Sequence, residues 1–181
     1  MKINYLARKL TEIAKIVRDS ADPTAGWLNF SQSADELVDD NLKNPELRHE
    51  ILEMAAKLSA IWATEPPLPN ISFLYFGIFE AVDNKNGVVP NLYVSGGTGA
   101  DPEEKLNSGN LSYLPKARFL DPSLLRLLAS SRPLNSKKAE AFDYLVVFGA
   151  SAILVKFALK ACSITLPVFV GFDSGDFARV D

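Results

Sequence analysis

The 181-residue sequence predicts an α+β fold: N-terminal helices packed on a mixed or antiparallel sheet, forming one domain over residues 1–181. Two observations carry this. Apolar residues recur with helical spacing in the first third of the chain, and runs rich in aromatic and β-branched residues follow after Asn70. No polar linker separates the halves and no segment repeats. Leu, Ile, Val and Phe together supply 56 of the 181 residues. That is well above the roughly 20% below which chains stay disordered, so a folded core is expected.

Ile3, Leu6, Ala7, Leu10, Ile13, Ala14 and Val17 share one helical face, and Lys2, Arg8, Lys9, Glu12, Lys15 and Arg18 take the other. This pattern predicts an amphipathic helix over 3–19, ended by Asp22-Pro23 and Gly26. Ser33-Ala-Asp-Glu36 has the form of a capping box opening a short helix over 34–42. Asn44-Pro45 reads as N-cap and first residue of a longer helix over 45–63, with Leu47, Ile51, Leu52, Ala55, Leu58, Ile61 and Trp62 inward. Pro66, Pro67 and Pro69 stop it.

Ile71–Val82 is too apolar for an exposed strand and is expected to be central. Asp83–Gly87 is a turn, and Val88–Ser95 returns to make a hairpin, with Pro90 placing the second strand near an edge or starting it only after that residue. A polar loop covers Gly96–Asn110, and Asp121-Pro122 reads as the start of a short helix through Leu124–Leu128. For Ser136–Cys162 a largely buried helix fits best, with its charges confined to a stripe of Lys137, Lys138, Glu140, Lys156 and Lys160. Residues 142–150 remain open between helix and strand. Thr165–Asp181 reads strand, turn, strand, with Asp173-Ser-Gly-Asp176 as the turn.

The net charge of −3 and pI near 5.3 argue against a nucleic-acid partner. The N-terminal residues lack the apolar core of a secretory signal. The most apolar run, Tyr144–Val155, is bounded by Asp143 and Lys156 and is shorter than a membrane span. A cytoplasmic protein without membrane attachment is therefore expected, and the sequons at Asn29, Asn70 and Asn110 read as chance matches.

No catalytic set assembles from the residue types. His49 is the only histidine, so Glu46-Leu-Arg-His49 lacks the second motif of a di-iron bundle and the helix lacks the second histidine of a zinc protease. It reads as a solvated surface residue. Cys162, the only cysteine, reads as a small buried hydrophobe without chemistry. Ser95-Gly-Gly-Thr-Gly99 follows a strand but carries none of the phosphate-loop or nucleophile-elbow patterns; it reads as a turn, with anion capture by its N–H groups the functional alternative. The remaining candidates are acidic strand ends: Glu80 and Asp83, and Asp173 and Asp176. No metal ligands, cofactor or catalytic residues are assigned.

The tail Leu166–Val180, LPVFVGFDSGDFARV, preceded by an apolar helix, resembles small bacterial immunity proteins of polymorphic or contact-dependent toxin systems. The resemblance implies an acidic cytoplasmic protein that binds one toxin domain and blocks it without chemistry. The leading expectation is thus a non-enzymatic protein-binding function directed at a cationic toxin domain, with Asp173 and Asp176 as partner-binding residues. The alternative is a small enzyme or ligand-binding domain using Ser95–Gly99 and the acidic strand ends.

Overall fold

The computed structural model describes residues 2–34, 36–38, 42, 45–83, 87–173 and 175–181. Helices α1 (Lys2–Asp19), α2 (Pro23–Ser33) and α3 (Leu47–Thr64) precede the hairpin of β1 (Phe73–Asp83) and β2 (Gly87–Gly97). Short helices α4 (Pro102–Asn107) and α5 (Ser123–Ser130), the long helix α6 (Ser136–Ala161), and strands β3 (Val168–Phe172) and β4 (Phe177–Arg179) follow. The fold is α+β, and its sheet is mixed, in the order β2-β1-β3-β4. β1 is antiparallel to β2 and parallel to β3, while β4 turns back along β3.

The core forms around α6, which packs against α1, α2, α3 and the inner face of the sheet. It is long and apolar enough to cross a membrane, but 83% of its most apolar stretch is buried against the rest of the chain. Residues 142–150, open at the sequence level, are helical, and Phe142–Val146 form a π turn in which the Val147 N–H reaches back to Phe142 O. Gly149 gives α6 a point of close approach: a Cβ there would lie 2.3 Å from the Phe30 ring. Phe30 itself is fully buried and meets Trp27 edge-to-face.

Several start signals serve other ends than expected. Asp22-Pro23 opens α2 rather than merely closing α1, with the Asp22 carboxylate accepting from Ala25 N at 2.9 Å. Ser33 is therefore the last residue of α2, its hydroxyl donating to Glu12, and not the N-cap of a helix over 34–42. Ala34, Glu36 and Leu37 lie in turns; Asp35, residues 39–41, and Asn44 lie outside the described residues, as do 84–86 of the hairpin turn and Ser174. On α3 Leu52 points to solvent and Met54 inward, because the 100° step per residue aligns Met54 with Leu47 and Ile51. Asp121 does not cap α5: it sits in the left-handed region at φ +48 and ion-pairs with Arg126. Glu50 of α3 caps it instead, accepting from the Ser123 hydroxyl and from Leu124 N.

Two lysines of the charged stripe bond the end of α1. Lys156 Nζ donates to Val17 O, Arg18 O and Ser20 O at 2.9, 2.6 and 3.0 Å, and Lys160 Nζ reaches Ala21 O. These ammonium groups satisfy the open carbonyls at the C-terminus of α1 and oppose its negative dipole end. Burial, then the neighbouring Lys160 charge, hold the Lys156 ammonium below the usual lysine range.

Candidate functional site

β1 changes character midway. Phe73–Ile78 are buried without a break, whereas Phe79–Asp83 alternate between half-buried and exposed. The reason is the length of its neighbour: β3 ends at Phe172, opposite Ile78, so among the described residues no strand flanks the outer half of β1 on that side. Beyond that point, past the carboxyl end of β3, a cleft of about 730 Å³ opens that takes in Phe79 as well as Ile78 and Glu80 from β1. Crevices at such strand ends are where open α/β sheets commonly receive ligands.

The cleft has an apolar floor of Ile78, Phe142, Val147 and Phe172. Glu80, Val88 and Pro90 of the hairpin form one wall, and Ala129, Arg132, Asp143 and Tyr144 the other. The π turn sets that second wall: its extra residue shifts the α6 register where Asp143 and Tyr144 enter the lining. Tyr144 stacks on Phe172 with ring centroids 5.0 Å apart and planes 15° from parallel. Burial, then bonding to Asp176, push the Tyr144 phenol well above its ordinary range, so it is neutral at all physiological pH.

Arg132 Nε donates to both oxygens of Asp143, at 2.7 and 2.8 Å, and Nη2 adds a further bond to Oδ2. This bonding, together with the attraction of Asp143 and Glu80, keeps the guanidinium charged. Asp173 closes the end of the cleft and accepts from the Tyr93 hydroxyl at 2.8 Å. The lining thus carries three carboxylates, Glu80, Asp143 and Asp173, to one guanidinium, over a hydrophobic floor.

Of the acidic residues singled out from sequence, Glu80 and Asp173 line this cleft; Asp176 lies beside Tyr144, and Asp173 and Asp176 are both exposed. The Asp173–Asp176 segment is a turn closed by Gly175 N on Phe172 O, with Gly175 at φ +108. Asp83 approaches Arg126, which also holds Asp121.

Ser95 is not brought to the cleft. It pairs with Tyr75, on the opposite sheet face from Ile78 and Glu80, and its buried hydroxyl donates to Tyr75 O. Nor is the Gly96 N–H open to an anion: it is spent on Tyr113 O, and a Cβ there would lie 2.7 Å from Phe73 O. Close packing explains Gly96.

His49 is exposed and pairs with Glu53 on its own helix. Cys162 is half-buried rather than buried, because it caps the C-terminus of α6 with its Sγ against Ala55 O and Ser59 Oγ. Among the described residues no group of three or more His, Cys, Asp or Glu is placed to hold a metal ion.

Arg132, Asp143 and Tyr144 were not legible as site residues. The only signal was that Asp143 interrupts an apolar run, which helical periodicity reads as a boundary. No protein-family model, curated protein or solved structure matches the chain.

Proposed function

We propose that the protein is a non-enzymatic binding protein of the immunity type, which takes a basic surface of a toxin domain against this cleft and blocks it. The supporting observation is the lining itself: carboxylates outnumber cations three to one around an apolar floor, with exposed Asp176 at the margin. Such a surface steers a cationic partner electrostatically and gives its side chains apolar contact once docked. Asp143 is offset by the Arg132 cation, whereas Asp173 and Asp176 meet neutral phenols, which leaves Glu80, Asp173 and Asp176 as the partner-binding residues.

Co-expression with the product of the adjacent gene, followed by co-purification across a salt series, tests this reading. Glu80→Lys with Asp173→Lys is expected to weaken the complex by about 100-fold, and salt to weaken the unaltered complex. A complex indifferent to both, or no complex, overturns it.

A second reading has one observation in its favour. A cleft of about 730 Å³ lies within the roughly 300–1,000 Å³ typical of small-molecule sites. Turnover of a small substrate that disappears in Asp173→Ala would favour a small enzyme over a binding protein.

A further inference from the structure

The two outer edges of the hairpin differ in a way that identifies how a partner engages. In β2 the even-numbered residues turn their backbone outward: Val94 N donates to Arg118 O, and Gly96 exchanges bonds with Tyr113. Segment 113–120 covers that edge, and further out Pro90, at an outward position, has no N–H to offer. In β1 the even-numbered residues face β3: Leu74 N donates to Pro167 O, and Ile78 O accepts from Asp173 N at 3.2 Å. The two-residue period then turns the N–H and C=O of Glu80 and Val82 to the same side, past the end of β3. Val82 is 84% exposed, and among the described residues no strand lies beside it on that side. An open strand edge is a template for another extended chain.

We propose that an extended, basic segment of a protein partner adds to β1 at Glu80–Val82, in line with β3, and places an Arg or Lys side chain in the cleft. This deepens the binding-protein reading and rests on it. Charge complementarity selects the occupant: Glu80 and Asp173 stand on either side of the approach, and the stacked Tyr144 and Phe172 rings offer a face to a cation. Main-chain bonds from Glu80 and Val82 supply affinity, while the cleft supplies the preference for a positive side chain.

The probe is a blocked heptapeptide of alternating Thr and Val with a central Arg, titrated into the full chain and followed by amide NMR and hydrogen exchange. Binding is expected near 1 mM, as suits about four main-chain hydrogen bonds. Exchange of the Glu80 and Val82 amides should slow about tenfold or more at saturation. Replacing Arg by citrulline, or N-methylating alternate peptide residues, should each weaken binding about tenfold. Val82→Pro removes one outward N–H without touching the β1–β2 ladder, and should weaken the peptide while the circular dichroism spectrum stays unchanged.

Unslowed Glu80 and Val82 amides, or equal binding of the N-methylated peptide, would overturn the proposal. Free L-arginine reproducing every shift would also overturn it and make the cleft a small-cation site. A neighbouring gene product that binds while these amides exchange freely would sink edge addition alone. An edge protected by peptide with no binding neighbour product would sink the immunity reading alone.

Discussion

The inner and outer halves of the same hairpin obey different rules. From Phe73 to Ile78, β1 is buried on both faces: Leu74, Phe76 and Ile78 join the helices, and Phe73 and Tyr75 join a second cluster with Phe169. From Phe79 outward, β2 is the one strand beside it among the described residues, and the side chains turn to charge and partial exposure. Sequence alone barely registers the change, since the apolar run continues through Ala81 and Val82. The difference lies in the neighbour: β3 is 5 residues long against 11 for β1. Where a strand outlasts its partner, composition suited to a core is left half-exposed.

If this contrast is right, substitutions should divide between those that unfold the protein and those that leave it stable but unable to bind. The largest effect is expected in the inner region. Phe76→Ala should cost about 3–5 kcal/mol in denaturant unfolding, whereas Glu80→Ala should stay within about 0.5 kcal/mol. Comparable losses at both positions would erase the distinction. Next comes the α1 clamp: Lys156→Met leaves three carbonyls without their ammonium, and should lower stability by about 1–3 kcal/mol in the same assay. Glu50→Ala removes the cap of α5, the element carrying Ala129 beside the cleft, with an expected cost of about 1 kcal/mol.

Acid provides a smaller test. Burial alone would raise the Asp181 carboxyl, but bonds from Arg179 and Val168 N outweigh it and hold the group below its ordinary value of 3.8. A carboxyl depressed on folding contributes stability that is present above its unfolded pKa and lost as pH falls through the folded one. Asp181→Asn should therefore reduce the loss of stability on acidification below about pH 4, measured by thermal melting. The smallest expected signal is at Cys162: packed against Ala55 and Ser59, it should label slowly with a chromogenic disulfide reagent in the native protein. Rapid stoichiometric labelling would reopen its role as a nucleophile.

What the sequence made legible follows from local physics. The spacing of Leu10, Ile13, Ala14 and Val17 places α1, and three prolines end α3, because period and backbone chemistry are local properties. Of the two readings of Pro90, the edge strand holds and the late start does not: β2 begins at Gly87 and lies at the sheet edge, where a missing outward N–H is tolerated. The misreadings are of a different kind. Asp22 and Asp121 both precede proline, yet one caps a helix and the other ion-pairs with Arg126 while Glu50 does the capping. That choice depends on contacts distant in sequence. The cleft shares this origin: Arg132 meets Asp143 across a helix boundary, and the π turn that aims Asp143 and Tyr144 has no periodic signature in an apolar run.

The central claim is that binding is confined to the outer half of the hairpin and the cleft wall. Hydrogen-exchange mass spectrometry of the chain, alone and with the adjacent gene product, tests it most directly. Slowed exchange at 79–83, 129–144 and 172–176, with α1 and α2 unchanged, is the predicted result. Protection centred on α1–α3, or none anywhere, would contradict it.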